Sequence, residues 1–336
     1  MNTQLKFYQV GSFAVGNRLV SDEQLSVQSR SNRTNSLTSG HRACQGCGEA
    51  LGARYVMDAA MAATDGKVIA VNATGCLEVF STPYPETSWN LPWMHSLFGN
   101  AAPVATGVAF ALQAQGRSDI RVIAQGGDGG TVDIGFGPLS GTFERNDDVL
   151  YVCYDNEAYM NTGVQRSSAT PPAARTNTTH AVGAHPGASF SQGKNLPKIA
   201  MAHGIPYVAT ATVADLHDLE SKVTKAMSMR GARYLHVLVP CPLGWGTRSE
   251  ETIKLARLAT ESGLFPVYEA EDGVITETKK IRRKIGVDEY LRIQKRFAHL
   301  FGEKGNPEFV QAIQAIADRN IVEYDLVESS EGSSHE

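Results

Sequence analysis

The chain has 336 residues, 42% hydrophobic and 20% charged, a composition that supports a folded core and excludes a mainly disordered polypeptide. Lys and Arg number 31 against 35 Asp and Glu, a net charge of −4, so there is no broad basic surface and nucleic acid is not an expected partner. No apolar run approaches the roughly 20 residues that span a bilayer, and Met1–Tyr8 lacks a basic-then-apolar leader, so a cytoplasmic chain without membrane contact is expected.

Residues 1–40 are polar, with Ser, Asn, Thr and Arg dense from Ser26 to Ser39, and read as an irregular N-terminal arm. The Ala-rich stretch Glu49–Ala63 predicts a helix, and Lys67–Asn72 (KVIAVN) a short buried strand ending near a Gly-Cys turn. Ala101–Gln115 predicts a closely packed helix. Arg121–Ala124 and Val149–Tyr154 (VLYVCY) predict further buried strands. The stretch 163–195 has no convincing periodicity and is rich in Ser, Thr, Ala, Gly and Pro; a loop of that length is uncommon inside a compact domain and is often functional. Helices are predicted at Leu196–His203 and Val213–Met229, and a strand at Tyr234–Val239. Beyond these come a helix at Thr252–Ser262, a strand at Val267–Ile275, helices at Val287–Phe301 and Pro307–Ala317, and an acidic Ser/Gly tail. Short apolar strands alternating with helices predict an α/β fold, a mostly parallel sheet with helices on both faces. The predicted division is an arm at 1–40, a main domain at 41–250 and a C-terminal extension at 251–336.

In such sheets ligands lie beyond the carboxyl ends of the strands, where the unusual motifs of this chain fall. Gly-Gly-Asp-Gly-Gly at 126–130 follows the strand RVIAQ. Glycines there let backbone approach a phosphate, and Asp128 is placed to hold a cation. No Gly-Lys-Ser/Thr follows, so the turn is not a P-loop. Positions 130–155 then accommodate one helix and one strand before Asn156, putting Asp128 and Asn156 at the ends of adjacent strands. A carboxylate, an amide oxygen and a backbone carbonyl suit octahedral Mg2+. The competing reading is a Gly-rich turn with Asn156 as an ordinary cap.

The cysteines are Cys44, Cys47, Cys76, Cys153 and Cys241, too few for a disulfide scaffold. Cys44-Gln-Gly-Cys47 precedes a helix, Cys76 follows one strand, and Cys241 follows another between Pro240 and Pro242. Four thiolates suit either a [4Fe–4S] cluster or a structural zinc, and the wide spacing is not that of a zinc ribbon or finger. Cys153 lies inside an apolar strand and reads as a small core hydrophobe.

Gly-Asp-Gly, the interval and Asn156 resemble the thiamine diphosphate-binding motif. The continuation Tyr154-Asp-Asn-Glu-Ala-Tyr-Met-Asn-Thr-Gly-Val-Gln-Arg-Ser-Ser-Ala-Thr-Pro171 closely resembles the β subunit of pyruvate:ferredoxin and related 2-oxoacid:acceptor oxidoreductases. The resemblance runs from about His41 to Gly273. It implies a thiamine diphosphate-binding fold in which Asp128, Asn156 and the Ala158 carbonyl hold Mg2+. It also implies that Glu49, Gly75, Gly127, Gly129 and Thr162 lie against the cofactor, with Asn161 reaching both the thiazolium and the substrate. Cys44, Cys47, Cys76 and Cys241 would hold the cluster nearest the thiamine. The implied reaction is oxidative decarboxylation of a 2-oxoacid to an acyl-coenzyme A and CO2, with electrons passing through that cluster to ferredoxin or another acceptor. Pyruvate is the first candidate; branched-chain and aryl 2-oxoacids such as phenylglyoxylate follow. A pyrimidine-binding α subunit and a ferredoxin-like subunit are implied as partners. Two other readings stay open: a non-oxidative thiamine-dependent decarboxylase or synthase, and a zinc-stabilised assembly subunit. His95, Asn100 and the basic run 279–284 have no assigned role, and the basic run reads most simply as a solvated face.

Overall fold

The computed structural model describes residues 5–7, 14–16, 35–83, 87–179 and 192–328. Most of the expected arm, positions 180–191 of the long loop and the acidic tail from 329 lie outside the described residues. Within the arm, β1 (Leu5–Phe7) pairs antiparallel with β2 (Ala14–Gly16), so that stretch is not wholly irregular.

The described residues otherwise form one eight-stranded sheet. Its members are β3 (Val68–Ala73), β4 (Trp93–Ser96), β5 (Arg121–Gly127), β6 (Val149–Asp155), β7 (Tyr207–Thr212), β8 (Arg233–Leu238), β9 (Tyr268–Glu271) and β10 (Val274–Thr278), in the order β10-β9-β7-β8-β6-β5-β3-β4. From β7 to β4 every pairing is parallel, while β9 and β10 join antiparallel. The central strands are apolar throughout because both faces are covered. Leu150, Val152 and Tyr154 of β6 face the core under α1 (Gly48–Ala63). Val149, Tyr151 and Cys153 face the opposite core, under α3 (Ala101–Ala114). The Cys153 thiol is fully buried there.

Three expectations need correction. The strand predicted at Val267–Ile275 is two strands, because Asp272 and Gly273 both have positive φ (48° and 81°) and turn the chain back tightly. The helix predicted over Val287–Phe301 stops at Arg292 and resumes as a 3-10 turn at Lys295–Leu300. Residues from 251 onward are not an appendage: β9 and β10 extend the sheet. Leu255 and Leu258 of α8 (Thr252–Glu261) share a third core with Leu238 and Trp245 of the main domain. The strands β4 and β7 escaped the sequence reading.

Between β5 and α4 (Phe136–Glu144) the Gly-rich turn opens into a π-helical segment, Gly129–Ile134, a wide winding that often marks a functional site. The carboxyl ends of β3, β5, β6 and β8 therefore stand side by side, each followed by one of the motifs singled out above.

Candidate active site

The Cys44–Glu49 loop is built by glycines that nothing larger can replace. Gly46 has φ +73°, and a Cβ there would lie 2.2 Å from the Ser249 carbonyl oxygen. At Gly48 a Cβ would lie 2.7 Å from the Pro240 carbonyl oxygen, to which the Gly48 N–H donates at 3.2 Å. This close approach sets the start of α1 against the end of β8, bringing Cys47 to Cys241. Cys47 Sγ caps α1, accepting from Ala50 N, and Cys241 Sγ caps α7 (Pro242–Trp245), accepting from Gly244 N, both at 3.4 Å. Cys76 opens α2 (Cys76–Ser81) directly beyond β3.

Burial, then the Glu49 carboxylate, pushes the Cys47 thiol up to about 12, with Cys241 adding to the rise. The Cys76 thiol is likewise pushed up, by burial first and then by the Glu49 carboxylate, with Cys241, Cys47 and Cys44 adding to the rise. Among the described residues no His, Cys, Asp or Glu group closes to the spacing of a single metal ion. Gly48→Ala is expected to force α1 off β8, costing about 1–3 kcal/mol; a thermal melt unchanged from the parent would contradict it.

Glu49, Gly75, Gly127, Asp128, Gly129, Asn156, Ala158, Asn161 and Thr162 line one pocket, together with Cys76. The structure thus brings together every candidate cofactor residue. Asp128 is 1% exposed; its Oδ2 accepts a hydrogen bond from Ser167 Oγ, and its Oδ1 has no partner among the described residues. Asn156, 5% exposed, donates from Nδ2 to Glu49 Oε2 at 3.1 Å, and its Oδ1 is likewise unpartnered among the described residues. Two buried oxygen acceptors left without donors are costly unless a cation takes both. Burial, then the neighbouring Asp155 carboxylate, pushes the Asp128 carboxyl well above the usual carboxylate range, which a divalent cation would reverse.

The glycines fit a phosphate. A Cβ on Gly75 would meet nothing within 4 Å, and one on Gly127 only the Tyr154 carbonyl at 4.0 Å. Gly129 is glycine for a different reason, since a Cβ there would lie 2.5 Å from the Tyr159 ring. That ring stacks on Phe98 at 5.7 Å, and its hydroxyl donates toward Asp133 Oδ2 at 3.2 Å. Asn161 and Thr162 are exposed at the pocket mouth.

Asn156 is held from both cysteine helices. Glu49, two residues after Cys47, grips its amide, and Trp245 Nε1, four residues after Cys241, donates to its carbonyl at 2.9 Å. Burial pushes the Glu49 carboxyl up to about 7, with the Asn156 and Leu77 hydrogen bonds pulling the other way. Ser167 and Trp245 were missed in the sequence reading; Ser167 sits inside the Arg-Ser-Ser-Ala-Thr-Pro run, and Trp245 closely follows Pro-Cys-Pro.

A second cavity of about 400 Å³ opens behind Asp155 and Glu157, but these carboxylates are already paired with His236 and Arg296. His95 is exposed, bonded to Thr74 Oγ1 at 2.8 Å, and Asn100 caps α3 without a side-chain bond. In the basic run, Lys279, Lys280, Arg283 and Lys284 pair with Asp215, Asp325, Glu289 and Asp318, which makes it a solvated, locally neutralised face.

A mostly parallel sheet with an Asp–Asn pair and a Gly-rich turn at its carboxyl edge defines a thiamine diphosphate-binding domain. The family model "Thiamine pyrophosphate enzyme, C-terminal TPP binding domain" matches residues 73–237. Pyruvate synthase subunit PorB of Methanosarcina barkeri is 50% identical over 296 residues, covering 86% of this chain and 97% of that one. Ketoisovalerate oxidoreductase subunit VorB of Pyrococcus abyssi is 39% identical, covering 79% of this chain and 86% of that one. Among solved structures, a 2-oxoglutarate:ferredoxin oxidoreductase from Magnetococcus marinus aligns with a TM-score of 0.53 at 25% identity, covering 66% of this chain and 79% of that one. The chain belongs to the β subunits of the thiamine-dependent 2-oxoacid:ferredoxin oxidoreductase family.

Proposed function

We propose that this β subunit serves the CoA-dependent oxidative decarboxylation of pyruvate, holding Mg2+-thiamine diphosphate and a [4Fe–4S] cluster at one end of its sheet. The observation that carries the reading is the meeting of two unpartnered buried oxygens, beyond β5 and β6, with Cys76 and Cys241 beyond the neighbouring strands β3 and β8 and with Cys47 at the start of α1. When bound, the cofactor supplies a carbanion for addition to a 2-oxo carbon and a sink for the charge left by decarboxylation. Asp128 Oδ1, Asn156 Oδ1 and the Ala158 carbonyl hold Mg2+. Gly75 and Gly127 leave room for the diphosphate beside Thr162, and Gly129 lets the Tyr159 ring approach. Cys44, Cys47, Cys76 and Cys241 ligate the cluster, whose one-electron chemistry suits stepwise removal of the electrons. Hydrogen bonds from Ala50 N and Gly244 N to the sulfurs stabilise the thiolates and tune that site.

The exposed Asn161 faces outward, where a pyrimidine-binding α subunit would complete the pocket and substrate would enter. Met94, Leu97, Ile134 and Leu243, apolar and 44–74% exposed near the same strand ends, favour a protein cover there. A ferredoxin-like subunit and an external ferredoxin would carry the electrons onward, in the cytoplasm. Pyruvate ranks first because the pyruvate synthase relative matches at the higher identity, ahead of the ketoisovalerate enzyme.

Asn161→Ala is expected to retain thiamine diphosphate while CoA-dependent acceptor reduction with pyruvate falls about a hundredfold, the scale of lost substrate orientation. Unchanged turnover would remove that role. The same assay run with pyruvate, 3-methyl-2-oxobutanoate and phenylglyoxylate tests the substrate, and a higher kcat/KM for either alternative would overturn pyruvate.

A further inference from the structure

Glu157 stands between two of the positions assigned to Mg2+, Asn156 and Ala158, and its φ is +66°. A side chain with a Cβ rarely adopts that left-handed conformation, and Glu is not among the types that adopt it readily. The turn is held on three sides. The Glu157 N–H donates to Asp155 Oδ1 at 2.8 Å, its carbonyl accepts from Thr170 Oγ1 at 2.7 Å, and its carboxylate pairs with the Arg296 guanidinium.

Arg296 comes from the 3-10 turn Lys295–Leu300, 139 positions along the chain, and its side chain is 4% exposed. Its Nε donates to Gln294 Oε1 at 2.8 Å, and its guanidinium lies 3.8 Å from the centroid of the Trp245 ring. That ring is the one whose N–H holds the Asn156 carbonyl. One buried cation therefore bears on two supports of the Asn156–Ala158 turn, the Glu157 carboxylate and the Trp245 ring.

We infer that Arg296 is a positioning residue that locks the left-handed turn at Glu157, and so fixes the oxygens of Asn156 and Ala158 toward the cation. The inference rests on the metal-site reading above. A buried Arg–carboxylate pair is a weak source of net stability but a strong source of direction, because its planar fork admits few orientations. It also gives the segment after 251 a role at the cofactor end of the sheet, although that segment supplies none of the assigned ligands.

The test is Mn2+ titration of the intact complex with thiamine diphosphate, followed by the EPR signal of free Mn2+. Arg296→Met is expected to raise the Mn2+ Kd about ten- to hundredfold, the usual effect of losing an outer support of a metal site, with assembly intact. The double variant Glu157→Gly/Arg296→Met should return to within about threefold of the parent, since glycine adopts this φ freely. The double variant Glu157→Gln/Arg296→Met removes the stranded charge equally but keeps a Cβ, and should stay weak. Unchanged affinity in Arg296→Met, failure of the glycine double to recover, or equal recovery by the glutamine double would each overturn the inference. If Arg296→Met does not assemble, the two doubles decide alone, by the same criteria. Asp128→Ala is the control: if it leaves Mn2+ binding untouched, the metal-site reading itself fails, whereas loss there with no effect at Arg296 sinks only the inference.

Discussion

Replacing Cys241 with Ala is expected to remove one cluster's worth of iron and acid-labile sulfide from the assembled complex and cut CoA-dependent acceptor reduction at least about a hundredfold. Thiamine diphosphate content should hold, because the oxygens assigned to Mg2+ come from the residues following β5 and β6, and the substitution leaves Trp245, which bonds the Asn156 carbonyl from α7, in place. The substitution also strips the cap from α7, since Cys241 Sγ accepts from Gly244 N; a lost cap costs about 0.5–2 kcal/mol. Cys241→Ser separates the two effects, keeping an acceptor at the cap while replacing the soft thiolate. Both variants should lose iron, and only the Ala variant should lose the cap. Iron analysis, acceptor assay and thermal melts read the three consequences separately. Unchanged iron in both variants would show that the four cysteines do not hold the cluster.

The complementary change is Asp128→Ala. Asp128 is the one carboxylate assigned to the cation, with Oδ1 unpartnered among the described residues and Oδ2 held by Ser167. Its loss should weaken Mg2+-dependent binding of thiamine diphosphate by at least about a hundredfold, because the remaining assigned ligands are neutral oxygens. Iron content should not change. The two variants thus form a crossed pair, one losing iron with cofactor retained, the other losing cofactor with iron retained. Equilibrium dialysis of thiamine diphosphate against Mg2+ checks the second arm, and retained affinity would move the cation site away from Asp128.

The parts of this chain legible in its sequence are those whose signal is local. β6 reads as a strand because VLYVCY is apolar throughout, and it is apolar because α1 covers one face and α3 the other. The pocket was legible because Gly-Gly-Asp-Gly-Gly is a local pattern at a strand end, and a Cβ on Gly75 or Gly127 would only enter the open space beside it. β7 was missed because YVATAT mixes small residues with Thr, and its burial comes from neighbours distant in the chain. The Asp272–Gly273 turn was legible in principle, since Asp-Gly is a strong hairpin signal, and was overlooked inside an otherwise strand-like run. Trp245 and Arg296 left no local trace: their partners Asn156 and Glu157 lie 89 and 139 positions away. Neither spacing nor periodicity encodes such contacts. The segment from 251 onward reads as an extension for the same reason, because its strand β9 pairs with β7, far back in the chain, and β10 with β9.

One sheet edge is proposed to hold both thiamine diphosphate and an iron–sulfur cluster. The most direct test is the iron, acid-labile sulfide, zinc and thiamine diphosphate content of the native complex purified anaerobically, from parent and Cys241→Ala strains side by side. Iron, sulfide and thiamine diphosphate are expected in the parent, with iron and sulfide alone falling in the variant. Zinc in place of iron with no thiamine diphosphate would contradict this and leave a structural subunit.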